Sequence, residues 1–296
     1  MKFPFAASLI LLFFASCQEA PKTNDYLLRQ KITAEEYKAR IKAEKKRQAD
    51  LDLPYRMLSG DEKIESLAFI PGTDREPVWA QIEKNRPTLA VLLTDSGVSA
   101  LDPAYRSVRE KVPFMAIPRE FSGSRSDFVR SWPYVKSVAE NQNAFYHALS
   151  FGEKKDALRV IMIDSTLLTE DQWKWIADEL KNNAAVSVLV SAKPLNDSER
   201  ERFQSLVKKS KQKSIIWLTT GIDQSKISKT TSNMASIYEL NARSAKIVPA
   251  VLGDAPMQIT KPAEFGILKF DWQNRVAVFE IRNAADEKVE TLVAKF

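Results

Sequence analysis

Few residues in this chain could carry acid–base or nucleophilic chemistry, and the histidine content limits them most. The 296 residues include one histidine, His147, and one cysteine, Cys17. A Ser-His-Asp set could therefore be built only around His147, which is expected to be a core or rim histidine rather than a base. The eight glycines form no glycine-rich phosphate loop. The sequence therefore argues against a serine hydrolase and a P-loop enzyme.

Carboxylates at the ends of predicted strands are the remaining candidates. Asp95 follows the apolar run at residues 89–93, and Asp164 ends a second run at residues 159–164. Ligands of α/β proteins bind at the carboxyl ends of strands. Asp95 could pair with Arg119, or it could cap its own loop by accepting backbone N–H bonds, which is the favoured interpretation. Asp164 is expected to hold the loop that follows it.

The segment at residues 158–192 predicts the unit that positions these loops. An apolar strand is followed by Thr169, which has the character of an N-cap, with Gln172 completing a capping box. Trp173 and Ile176 lie on the apolar face of the helix that follows, and Trp175 is expected towards its other side. A second apolar strand then completes a strand–helix–strand unit, which is typical of a parallel or mixed sheet.

The rest of the chain repeats this alternation and ends in a hairpin. We therefore predict an α/β fold with mixed β-sheets, in one sheet or two stacked sheets, flanked by helices and ending in an antiparallel hairpin. The predicted strands are residues 64–70, 89–93, 112–117, 145–151, 159–164, 186–190, 215–218, 265–270 and 276–282, and the other predicted helices are residues 76–85, 103–111, 126–139 and 198–209.

The N-terminus predicts export and a lipid anchor. Lys2 precedes an apolar run at residues 3–14, and small residues then lead to Cys17. This pattern resembles a bacterial lipoprotein signal, residues 1–17, in which the cysteine is lipidated. The alternative is an ordinary secretory signal in which the cysteine plays no part. After lipidation the mature chain would have no other cysteine and no internal disulfide.

A polar segment, residues 18–53, separates this signal from the predicted globular domain, residues 54–296. It is rich in Lys, Glu, Arg and Ala, and it predicts a helical tether with little apolar surface to bury. The alternatives are a helix docked loosely on the domain and an interaction helix. The net charge of +6 comes largely from clusters at residues 42–47 and 208–213. Neither cluster interleaves aromatic residues for base stacking, and export also argues against nucleic acid as a partner.

Between residues 64 and 281, the order of motifs resembles the PhoD-like branch of the metallophosphatases, which have a calcineurin-like fold. The helix residues Val78-Trp79-Ala80-Gln81-Ile82 and the strand Val112-Pro113-Phe114-Met115-Ala116-Ile117 follow the family pattern. The resemblance is closest at Val160-Ile161-Met162-Ile163-Asp164-Ser165 and at Asp171-Gln172-Trp173-Lys174-Trp175-Ile176. It implies a sandwich of mixed sheets, and it would make the chain a relative of alkaline phosphatase D and of the phosphodiesterases of the same family.

The family's metal-binding motifs do not match. Of the Gly-Asp-Asn motif only Asp95 remains, Arg119 and Glu120 stand within the region of the Trp-Asp-Asp-His-Asp motif, and Asp223 falls where the Ser-Gly-Asp-x-His motif has been lost. A two-metal hydrolase needs several imidazole and carboxylate ligands for each ion, which one histidine cannot supply. Asp95, Glu120 and Asp223 could at most hold a hard cation such as Ca²⁺ or Mg²⁺.

The resemblance therefore implies a pseudoenzyme without a cofactor. The chain would bind or scaffold an unknown protein, or a phosphate-bearing ligand through Arg119. The alternative is a divergent metal-dependent phosphomonoesterase or phosphodiesterase that uses the residual carboxylates. Other pocket candidates are His147 and Asp164, and Phe121 could help to fill the pocket. Gln18 after the cysteine suggests the periplasmic face of the outer membrane.

Overall fold

The fold is taken from a computed structural model, whose larger compact unit is Leu53–Phe296. In the other unit, Met1–Asp52, residues 35, 38, 39 and 42 are helical and exposed. The structure describes residues 35, 38, 39, 42, 60–71, 76–94, 107–118, 132, 134, 135, 145–153, 156–182, 184–210, 212–221, 225–232, 235–243, 246–252, 255–261, 264–283 and 285–296.

The described residues of the larger unit form mainly strands, with three longer helices. The strands are β1 Ser66–Ile70, β2 Leu89–Thr94, β3 Phe114–Pro118, β4 His147–Phe151, β5 Leu158–Ile163, β6 Val186–Ser191, β7 Ser214–Gly221, β8 Lys226–Ser232, β9 Ala235–Arg243, β10 Lys246–Leu252, β11 Ala255–Lys261, β12 Phe265–Asp271, β13 Val276–Arg282 and β14 Lys288–Lys295. The helices are α1 Glu76–Asn85, α2 Glu170–Glu179 and α3 Asp197–Lys209.

These strands form two mixed six-stranded sheets and one separate pair, so the chain is an α/β protein. The first sheet has the order β14-β13-β12-β1-β2-β3. Strands β1, β2 and β3 are parallel, and β12, β13 and β14 each run antiparallel to the preceding strand in the sheet, starting from β1. The second sheet has the order β4-β5-β6-β7-β9-β8, with β5, β6, β7 and β9 parallel and an antiparallel strand at each edge. Strands β10 and β11 pair with each other.

The two sheets pack face to face around a shared apolar core. Gly266 of β12 marks a close approach, because a Cβ at this position would lie 3.0 Å from the Cδ2 of Leu240 in β9. Nearby, the rings of Tyr238 and Phe279 from the two sheets have centroids 5.9 Å apart. Burial of this interface removes apolar surface from water on both inner faces, which is the main force holding a sandwich together.

Helices cover the outer faces of both sheets. On the second sheet, Trp173 and Ile176 of α2 and Phe203 of α3 belong to a second buried cluster with Trp217 of β7. On the first sheet, Trp79 of α1 makes an edge-on ring contact with Phe114 of β3, at a centroid distance of 6.0 Å. The described elements are thus layered as helix, sheet, sheet and helix.

The predicted strand–helix–strand unit is confirmed, with one correction. Strands β5 and β6 are parallel neighbours joined by α2, and Thr169 is the N-cap whose hydroxyl accepts from the Gln172 N–H at 3.2 Å. The capping box is wrong, because the Gln172 side chain bonds the backbone of Asp164 instead. Trp173 is buried as predicted, whereas Trp175 is half-buried.

A cluster of charged side chains covers the outer face of the first sheet beside α1. Glu280 of β13 is 3% exposed and forms ion pairs with Arg282, Lys269 and Lys288. Burial would raise the pKa of the Glu280 carboxyl, but hydrogen bonds from Lys288 and Arg282 and the nearby positive charges lower it to about 2. Asp286 accepts from Arg282 Nη1 at 2.7 Å in the same cluster.

The other predicted elements differ mainly at their ends and along the edges of the sheets. Residues 76–85 and 276–282 match α1 and β13, and the antiparallel hairpin of β12 and β13 is confirmed. Strands β8, β9, β10, β11 and β14 were not predicted. Of the predicted helix at residues 103–111, residues 107–109 are helical and residues 110–111 form a turn, and of the predicted helix at residues 126–139, residues 134 and 135 are helical; the structure describes too little of either segment to give its bounds.

Candidate functional site

The carboxyl ends of the parallel strands in both sheets lie at the same edge of the sandwich. Towards this edge, Tyr134 bonds Ala116, two residues before the end of β3, and lies beside His147, which pairs with Met162 near the end of β5. At the opposite edge, the first residue of β7, Ser214, donates to Lys295 O at 3.2 Å. The sandwich therefore places the carboxyl ends of its parallel strands, where α/β proteins bind ligands, at one edge.

Most of the predicted site residues follow these strand ends in sequence. Strands β2 and β3 end side by side, with Thr94 opposite Pro118. Asp95 follows Thr94 directly, and Arg119 and Glu120 follow Pro118. Asp95, Arg119, Glu120, Phe121 and Asp223 all lie outside the described residues, as does Cys17.

His147 is the predicted site residue whose environment is best defined. It is the first residue of β4, not a mid-strand residue as predicted, because the strand begins two residues later than expected. The side chain has no exposed surface, and its Nε2 lies 3.2 Å from the hydroxyl oxygen of Tyr134. The two rings have centroids 5.7 Å apart. His147 is therefore a buried rim histidine, as expected.

Tyr134 is the central residue of this edge, and sequence reasoning missed it. Its hydroxyl accepts from Ala116 N–H at 2.8 Å and lies within hydrogen-bond distance of Ala116 O, at 3.1 Å, on the outer side of edge strand β3. A tyrosine hydroxyl has one proton, which it can give to Ala116 O or to His147 Nε2. In the first case Nε2–H donates to the hydroxyl, and in the second the Nε2 lone pair accepts.

Either arrangement occupies Nε2 of His147, so this nitrogen is not available to bind a metal ion. A metal ligand needs a free lone pair on a neutral imidazole. The Tyr134 hydroxyl either donates to the Nε2 lone pair or accepts from a protonated Nε2, so this nitrogen is engaged in both cases, and the ring is fully buried. Within the described ranges, no group of three or more His, Cys, Asp or Glu side chains is placed to hold a metal ion.

The Asp164 carboxylate is hydrogen-bonded within the turn that follows β5. Its Oδ1 accepts from Thr166 N–H at 3.0 Å and from the Thr166 hydroxyl at 2.5 Å. Gln172 Nε2 donates to Asp164 O at 2.9 Å, and Gln172 Oε1 accepts from Asp164 N–H at 3.2 Å. The carboxylate shapes the turn after β5, and the amide of Gln172 joins that turn to α2.

The loops after β5 and β6 are bonded to each other, and the loop after β6 is bonded to the end of β7. The hydroxyl of Ser165 accepts from Lys193 N–H at 2.8 Å, and the Thr220 hydroxyl donates to Ala192 O at 2.7 Å. Below them, Trp217 Nε1 donates to the Ser191 hydroxyl at 2.8 Å. These short polar side chains hold the rim of the second sheet by long-range bonds, which local sequence patterns do not reveal.

The fold and this rim define the chain as a two-sheet α/β protein with flanking helices. Comparison with known proteins finds no matching family model and no significantly similar curated protein. None of the described helices is long and apolar enough to cross a membrane.

Proposed function

We propose that this chain is a lipid-anchored protein of the bacterial cell envelope with a metallophosphatase-type fold that has lost its metal centre. It would act as a binding or scaffolding component rather than as a hydrolase. The two mixed sheets with helices outside support this proposal, as does the common edge formed by the ends of their parallel strands. The proposed partners are the membrane, through Cys17, and an unidentified protein or phosphate-bearing ligand, but not nucleic acid.

The observation that carries the loss of activity is the environment of His147. Two-metal hydrolysis generates a metal-bound hydroxide near neutral pH, and this requires several imidazole and carboxylate ligands. This chain has a single imidazole, which is fully buried and hydrogen-bonded to a tyrosine that holds the neighbouring sheet. One histidine, with its Nε2 engaged by Tyr134, cannot supply the imidazole ligands of two metal ions.

Metal content tests this proposal directly. Full-length protein purified in detergent without chelators should contain far less than one equivalent of iron, zinc, manganese or calcium by elemental analysis. Asp95→Asn and Glu120→Gln variants should then match the unmodified chain in metal content. A near-stoichiometric metal that is lost in these variants would overturn the proposal and would favour a divergent phosphoesterase that uses Asp95, Glu120 and Asp223.

The anchor is tested by replacing the cysteine. A Cys17→Ser chain should fail to incorporate labelled fatty acid, because its serine hydroxyl cannot form the thioether that lipidation requires. Its mature, lipidated form should be lost from the membrane fraction. Equal fatty-acid labelling of the two chains would contradict lipidation at this position. A Ser16→Ala chain, which keeps the cysteine and a small residue before it, serves as the matched control.

A further inference from the structure

The last strand of the first sheet, β14, leaves backbone groups open along its outer edge. Tyr134 bonds the outer groups of β3, and Glu290 accepts from the backbone N–H of Ile227 in β8 at 2.9 Å. Strand β14 lies at the end of its sheet, and its side chains Val289 and Val293 are 50% and 60% exposed. These are two of the three large apolar side chains that are exposed among the described residues.

The hydrogen bonding at the end of β14 shows which backbone groups face outward. Phe296 N–H donates to Arg275 O at 3.0 Å, so every second residue counted back from Phe296, such as Ala294, bonds to β13. Thr291 and Val293 then direct their backbone groups away from the sheet. In the described part of the chain these outward groups have no partner. The bond from Ser214 to Lys295 O agrees with this alternation.

An open edge of this kind favours the addition of another strand. The exposed β-branched residues fit this interpretation, because such side chains pack well on a pleated surface. A register shift occurs between Ile281 and Arg282, so the start of β14 is irregular, whereas Glu290–Lys295 stays in register with β13. The regular half therefore supplies the central backbone bonds to a partner, around Thr291, and the irregular start of the strand contributes side chains only.

We propose that β14 pairs antiparallel with β14 of a second copy of this chain, about a two-fold axis at Thr291. Each Thr291 lies opposite its counterpart, and Val293 of one copy lies beside Val289 of the other. The same alignment brings the exposed Glu287 near the start of one strand to the exposed Lys295 at the end of the other. Opposite charges therefore meet on both sides of the axis.

Charge and symmetry select this arrangement among the possible ones. An axis at Glu290 would place two carboxylates opposite each other. A parallel pairing in register would place Glu287 of one copy beside Glu287 of the other. Antiparallel pairing about a two-fold axis also closes the assembly, because both copies use the same strand. The two first sheets then form one continuous sheet. The contact is small, so the dimer should dissociate on dilution.

Disulfide cross-linking of the full-length chain tests both the dimer and its register. Paired residues in an antiparallel ladder have Cα atoms about 5.5 Å apart, which a disulfide can bridge. A Thr291→Cys chain should therefore form a covalent dimer under mild oxidation. In a Val293→Cys chain the two cysteines would be about 14 Å apart, four residues along the strand, and should not cross-link. Non-reducing electrophoresis reads the result.

The controls distinguish this pairing from chance collision. A Lys174→Cys chain carries its cysteine on the exposed face of α2, so it should give no more dimer than the unmodified chain. Because every variant and the unmodified chain share the original Cys17, any cross-linking through Cys17 is the same in all of them. Equal cross-linking of Lys174→Cys and Thr291→Cys would overturn the proposal, as would a monomeric Thr291→Cys chain. Sedimentation of the unmodified chain is an independent measurement, because a monomer mass at every concentration also overturns it.

Discussion

A Glu280→Gln variant is expected to lose about 2 to 3 kcal/mol of unfolding free energy at neutral pH. The folded chain holds the pKa of this carboxyl at about 2, against an ordinary value of 4.5, so the charged form is strongly favoured by folding. Glutamine keeps the size of the side chain but removes the charge that three cations face. Urea denaturation of both chains measures the difference.

The loss should be smaller than the 3–5 kcal/mol typical of a fully buried ion pair. The side chains of Lys269 and Lys288 are 52% and 56% exposed, so both ammonium groups can return to water when Glu280 is replaced. Arg282 is 11% exposed but keeps its bond to Asp286. The remaining cost comes mainly from the guanidinium group and from the lost hydrogen bonds.

The same variant should change how stability depends on pH. A carboxyl whose pKa is lowered by folding contributes stability above its unfolded value, and it loses this contribution as the pH falls through the folded value. For Glu280 the loss occurs as the pH falls from about 4.5 towards about 2. The unmodified chain should therefore lose stability more steeply across this window than Glu280→Gln.

A matched control is available on α3. Glu201 is exposed and has no ion-pair partner among the described residues, so Glu201→Gln should change the unfolding free energy by less than about 0.5 kcal/mol. Its acid profile should follow that of the unmodified chain. If Glu280→Gln and Glu201→Gln behave alike, the cluster around Glu280 does not contribute measurably to stability.

The second large effect is expected from Tyr134→Phe, which should lower the unfolding free energy by about 1 to 3 kcal/mol. The substitution keeps the ring and removes the hydroxyl that accepts from Ala116 N–H at 2.8 Å. Because Ala116 is fully buried, its N–H would lose its partner without gaining water. His147 Nε2 would lose the same hydroxyl.

A local measurement separates the lost bonds from a general loss of stability. Hydrogen exchange of the Ala116 amide should become at least about tenfold faster in Tyr134→Phe, relative to core amides of the second sheet. Tyr146→Phe is the matched control, because this half-buried tyrosine packs on Trp175 and its hydroxyl bonds no described residue. Equal stability of the two variants would show that the Tyr134 hydroxyl does not hold the edge of β3.

Local sequence patterns were enough to predict the helices and strands whose apolar spacing and capping residues fall within about ten consecutive residues. The apolar spacing and the N-cap Thr169 predicted α2, and continuous apolar runs predicted β5 and β6, because both faces of a central strand are buried. The antiparallel hairpin of β12 and β13 was predicted in the same way. These elements establish the α/β class without any knowledge of distant contacts.

Edge strands were harder to predict for a physical reason. Strand β8 reads Lys-Ile-Ser-Lys-Thr-Thr-Ser and buries one side chain, Ile227, among its described residues. Strand β14 is similarly polar, with Ala294 as its buried residue. Such strands exist because a neighbouring strand supplies hydrogen bonds, and their own apolar pattern is too weak to predict them.

The rim at the strand ends depended on the tertiary structure. The sequence by itself determined that one histidine and a few strand-end carboxylates were all that could support hydrolysis. Only the folded chain places Tyr134 between Ala116 of one sheet and His147 of the other. It likewise decides that Gln172 bonds Asp164 rather than completing a capping box. Side-chain partners distant in sequence are chosen by packing, and packing leaves no periodic signal in the chain.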